Sequence, residues 1–204
     1  ARTFMSDLVA ALRAGKPPVE ASALLLAAGA YYEKIADPNA LTALAELYIS
    51  LGRQQKDTRW PIMWLLIKRA DASHQALMER VLASADDEEA GRLAAWFVSH
   101  PSTASRRELE RRVGTNYGEH HEMALALAGL GDAALLAWAK KALSTTGEHR
   151  WVALYAIARA PGKDADALAR AVIQRGGEDM VSLIQGYAEA RHALVDKRLA
   201  DIGR

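Results

Sequence analysis

The sequence contains no cysteine, only two phenylalanines and six prolines, and no excess of either charge: 26 Lys and Arg stand against 25 Asp and Glu in 204 residues. Without cysteine, disulfide scaffolds, Cys-based zinc modules and thiol nucleophiles are excluded. Balanced charge supplies no overall field to draw nucleic acid or an anionic membrane. No apolar run approaches the roughly 18 residues of a membrane span, and residues 1–20 lack the basic, apolar, small-residue order of a signal peptide. The expectation is a soluble, cytoplasmic chain with no membrane insertion. Because residue 1 is Ala, a periplasmic or secreted location after signal removal stays open.

What is abundant points to helices. Ala supplies 42 residues and Leu 26, whereas Val, Ile and Thr together supply 24, so the apolar half of the chain is helix-favouring rather than strand-favouring. The fold class read from this is all-α. Pro, Gly and Asp cut the text into helical segments expected near 3–13, 19–36, 40–51, 62–70, 73–83, 87–98, 102–113, 119–130, 132–143, 148–160, 164–175 and 179–190, with a last one to about 202. Leu41, Leu44, Tyr48 and Leu51 make an apolar stripe at helical spacing, and Pro61 suits a first helical position. The polar stretch 53–59 reads as a loop. Four glycines, Gly29, Gly91, Gly129 and Gly186, fall within helical pattern, where close helix packing accounts for them.

Taken in pairs, the segments begin near 40, 73, 102, 132 and 164, a period of about 30 residues that signals stacked repeats. Gly118-Glu119-His120 followed by Ala124-Leu125 returns as Gly147-Glu148-His149 followed by Ala153-Leu154, and Gly177-Glu178 opens the next second helix. Trp151, Leu154, Tyr155 and Ala158 share one helical face, as do Met180, Leu183, Ile184 and Tyr187. Residues 131–160 resemble a HEAT unit, and Leu44-Ala45-Glu46-Leu47-Tyr48-Ile49-Ser50-Leu51-Gly52-Arg53 is similar to a tetratricopeptide helix. The resemblance is to helical-hairpin repeat proteins as a class. It implies a right-handed α-solenoid of five to six antiparallel hairpins in one domain, with 1–39 as an N-terminal cap, 40–190 as the stack and 191–204 as a C-terminal cap helix. A compact orthogonal helical bundle is the alternative.

No Walker, Rossmann or Gly-x-Ser-x-Gly motif is present, and no cofactor is expected. The leading functional expectation is a non-catalytic scaffold that binds another protein or peptide on the exposed side of the second helices, with Arg92, Arg150, Arg159 and Gln185 as contacts. Trp64 and Trp96 are either buried in the stack, the more common fate of tryptophan, or anchors for a partner. His120, His121, Glu122 and His149 are the candidate ligands for a metal- or small-ligand-dependent helical enzyme, since imidazole and carboxylate suit zinc. Against that, acidic residues at a helix start simply complement the dipole, and adjacent histidines point apart. A third reading, a nucleic-acid-binding repeat, would use Arg106, Arg107, Arg111 and Arg112. The acidic Glu119 and Glu122 at the next helix start oppose it, so no nucleic acid partner is expected.

Overall fold

The computed structural model describes residues 38–190 apart from 54, 146 and 148, together with Ala10 and Ala14. Among the described residues the fold is all-α: α1 Pro38–Ser50, α2 Lys56–Arg69, a 3-10 turn Ala72–His74, α3 Gln75–Ser84, α4 Asp87–Ser99, α5 Thr103–Val113, α6 His121–Gly129, α7 Ala133–Ala142, α8 Arg150–Arg159, α9 Lys163–Arg175 and α10 Glu178–Ala190. The expected helices at 3–13, 19–36 and beyond 190, with Gly29, lie outside the described residues. So do the two cap regions, apart from isolated residues and the start of α1. Within the described part, no single helix is long and apolar enough to cross a membrane.

Helices α5, α7 and α9 begin at Thr103, Ala133 and Lys163, thirty residues apart each time. The ends are set locally. Ser102 caps α5 by accepting from the Ser105 N–H, and Asp132 caps α7 by accepting from the Leu135 N–H at 2.7 Å. Gly176, with φ of 71°, stops α9 in a conformation that costs other residues a Cβ clash.

Two compact units divide between Trp96 and Phe97, within α4. In the first, α1 packs on α2 and α3. The expected stripe Leu41, Leu44, Tyr48 and Leu51 is buried, joined by Ile62, Met63 and Leu66 of α2 and Met78, Val81 and Leu82 of α3. The stretch 53–59 is only partly a loop, because α2 starts at Lys56 and carries Pro61 inside its first turns. The reason is Arg59, which is 1% exposed. Its Nε and Nη2 donate to the two oxygens of Glu89 at 2.8 and 2.7 Å, Nη1 donates to the carbonyls of Tyr48 and Leu51, and Nη2 also reaches Ser84 O. The guanidinium lies 4.0 Å from the centre of the Tyr48 ring. One side chain thus ties the ends of α1 and α3 to the first turn of α4, with the bidentate geometry only arginine supplies.

Burial alone would raise the Glu89 carboxyl, but the Arg59 donors and the Asp86 N–H outweigh it and hold the carboxyl below the ordinary glutamate range. With the folded value depressed, the stabilisation is complete above the unfolded value of about 4.3 and is lost as pH falls through the folded one. The stability gap between the native protein and Glu89→Gln should therefore be widest near neutrality and shrink in acid. Denaturant titrations between pH 7 and pH 3 check this, and a gap independent of pH would contradict it.

In the second unit α8 is central, packed against α6, α7, α9 and α10. Leu154, Ile157 and Ala158 of α8 meet Ala139 and Leu143, Ala169 and Val172, and Leu183 and Tyr187 in one core. Helices α8 and α10 run in the same direction. Arg150 and Asp179 join their first turns, while a Cβ at Gly186 would lie 3.0 Å from Tyr155 Cα and 3.1 Å from Ala158 Cβ. The close packing expected of Gly186 is thus present, and a Cβ at Gly129 would touch Val98 at 3.0 Å.

Candidate functional site

In the second unit, large apolar side chains are exposed on α8 and α10, beside α6. The apolar faces of α8 and α10 are wider than the core can cover. Leu154, Ala158, Leu183 and Tyr187 are buried, while Trp151 is 39%, Val181 50% and Ile184 46% exposed. Trp151 bridges α6 and α8, its ring 5.2 Å from that of His121 and 5.5 Å from that of Tyr155, both edge-on. The Tyr155 hydroxyl donates to Glu189 of α10 at 3.1 Å. Burial and the nearby Glu189 carboxylate push this phenol above its ordinary value, so it stays a donor at neutral pH. The row His121, Trp151, Tyr155, Glu189 is therefore a held surface of aromatic edges ending in a carboxylate.

The expected contact residues take different fates. Arg150 is committed to structure: it donates through Nε to Asp179 at 2.7 Å and through Nη1 to the carbonyls of Leu143 and Thr145. Arg159 is half-buried beside Tyr155 and Glu189, and burial lowers its proton affinity although Glu189 opposes this. Gln185 and Arg92 are exposed. Trp64 is 48% exposed and sits 6.4 Å from Trp60, because Ile62, Met63 and Leu66 take the buried side of α2. Burial, the commoner fate, therefore fails for Trp64. Trp96 does the reverse: it is buried, its indole N–H donating to Ala70 O at 3.1 Å, so it offers no anchor.

The histidines do not converge. His121 spends its ring on Trp151, and His149 lies over Gly118, where any Cβ would collide with the imidazole. His120 precedes α6 and Glu122 lies in its first turn, while Glu148 is outside the described residues. Among the described residues no three His, Asp or Glu side chains are grouped to hold a metal ion. Three of the four arginines of α5 are matched by carboxylates, and Arg107 is exposed. Arg106 pairs with Glu110 at 2.8 Å and approaches Asp132, while Arg111 and Arg112 both pair with Glu108. A recess of roughly 220 Å³ lies between the starts of α7 and α9, lined by Asp132, Leu136, Pro161 and Asp164 among others. Asp132 there is occupied in capping α7.

Trp151 and Tyr155 share one face in the sequence pattern, whereas Glu189, Val181 and the Arg59–Glu89 pair do not stand out in it. The available signal was spacing. Arg59 lies thirty residues before Glu89 and Arg150 twenty-nine before Asp179, close to the thirty-residue spacing of the helix starts. Comparison with protein-family models, with curated proteins and with solved structures finds no match to this chain.

Proposed function

We propose that the chain is a helical-hairpin repeat protein that binds another protein or peptide without chemistry of its own, through the face of α6, α8 and α10. The observation that carries this is the exposure of Trp151, Val181 and Ile184 on two helices that pack together, next to a fixed aromatic row. Large exposed apolar side chains grouped this way are typical of partner surfaces, and tryptophan is a frequent anchor. The repeat reading draws support from the thirty-residue helix starts and from an arginine that, in each unit, joins one hairpin's first-helix end to the acid of the next second helix.

The triple variant Trp151→Ser, Val181→Ser, Ile184→Ser tests the assignment. The expectation is loss of a specific co-purifying protein while the chain stays folded, the missing ring contacts costing about 1–2 kcal/mol. Affinity capture beside the unaltered chain, with thermal melting of both, makes the comparison. An unchanged co-purifying set would move the site elsewhere.

A further inference from the structure

Among the described residues no further helix follows α10 to cover its outer side. Helix α8 has a second helix on either side of it, α6 and α10, and α10 is the last described helix. Position by position the two helices correspond at the twenty-nine-residue step of the Arg150–Asp179 pair. Leu154 and Leu183 are both buried, but Val152 is wholly buried where Val181 is half exposed, and Ala156 is buried where Gln185 is exposed. A strip that α8 keeps covered is thus uncovered on α10.

The charges around the strip say what fits it. Helix α10 reads Glu-Asp-Met-Val-Ser-Leu-Ile-Gln-Gly-Tyr-Ala-Glu-Ala, with three acids and no base. Glu178 is exposed at one end of the strip; at the other, Glu189 is exposed too but accepts the Tyr155 hydroxyl beside Arg159, while Asp179 is already held by Arg150 and approached by Arg175. The position matching Arg150 is Asp179 itself, so α10 carries no arginine to receive an acid-led helix like those that follow α2 and α8. A second copy of α10 laid here would set acid against acid in either direction, a repulsive arrangement.

We infer that the Val181–Ile184 strip of α10 receives an amphipathic helix of a partner protein whose apolar face is flanked by Lys or Arg. This rests on the partner-binding reading and specifies its ligand. Helix-in-groove recognition of this kind needs apolar anchors at i, i+3 or i+4 and i+7, with charge setting partner choice and association rate.

Two labelled helical peptides serve as probes for the full chain: one with leucine at those spacings and lysine elsewhere, the other identical with glutamate for lysine. By fluorescence anisotropy the lysine peptide should bind about fivefold to tenfold more tightly at low salt, a preference that Glu178→Gln with Glu189→Gln and high salt both reduce. Val181→Ser with Ile184→Ser should weaken it by about tenfold. Equal affinity for both peptides, lost in the serine variant, would overturn the charge assignment while leaving partner binding standing. Binding of neither peptide, or binding indifferent to the serine variant, would overturn the strip as a seat, and the capture experiment above would still decide the wider reading. Self-association lost in the serine variant, or peptide binding that appears only after removal of residues 191–204, would give the strip to a second copy or to the chain's own end and overturn the inference.

Discussion

Glu89→Ala is expected to destabilise the protein by about 3–5 kcal/mol, a large share of the stability of a domain of ordinary size. The reason is what it leaves behind. Arg59 stays 1% exposed, still bonded to the carbonyls of Tyr48, Leu51 and Ser84, but with its charge uncompensated. An exposed pair such as Arg80–Glu46 gives the contrast: breaking it should cost no more than about 1 kcal/mol. Arg59→Met should be at least as damaging as Glu89→Ala, because it strands three backbone carbonyls as well as Glu89. Adding Glu89→Leu to Arg59→Met should recover the part due to the stranded carboxylate and not the part due to the carbonyls. Urea unfolding of the native protein and these three variants measures the differences. A cost for Glu89→Ala below about 1 kcal/mol would mean that the pair is open to water.

Gly186→Leu is the second large effect, at about 1–3 kcal/mol or more of overpacking between α8 and α10. The space beyond Gly186 is bounded by Tyr155 Cα and Ala158 Cβ, so the neighbours that would have to yield are a helix backbone and its shortest side chain. Gly186→Ala sharpens the test. On helix propensity alone it should stabilise by up to about 1 kcal/mol. With Cβ contacts of 3.0 and 3.1 Å it should instead be neutral or destabilising. A thermal melt that rises on Gly186→Ala would show that α10 sits farther from α8 than described.

The all-α class and many of the helix positions were legible because helix ends depend on short-range chemistry. Starts expected near 102, 132 and 164 fall at Thr103, Ala133 and Lys163, positioned by Ser102, Asp132 and Gly162. Arg59 was not legible as a core residue. A buried arginine is defined by partners eight to thirty residues away, and residue by residue its surroundings read as polar loop. Of the two tryptophans, Trp96 takes the expected buried place and only Trp64 departs from it. Residues 60–67 of α2 are apolar without a break, so periodicity could not say which side faces the core, and Trp64 was left outside. Trp96 found a buried acceptor at Ala70 that no local pattern announces. The paired histidines were visible as residues, but whether they gather depends on rings that turned instead to Trp151 and to Gly118.

On the surface, the helical stripes of α8 and α10 were visible in full. Their division into a buried half and an exposed half was not, because it depends on which side of each helix a neighbour covers. That division creates the candidate site: the half left over is where Trp151, Val181 and Ile184 reach solvent.

Amide hydrogen exchange of the complex with a captured partner tests the binding assignment most directly. Slowed exchange confined to 121–129, 150–159 and 178–190 is the predicted footprint, with the first helices 103–113, 133–142 and 163–175 unchanged. Protection on the first helices instead, or on neither set, would contradict it.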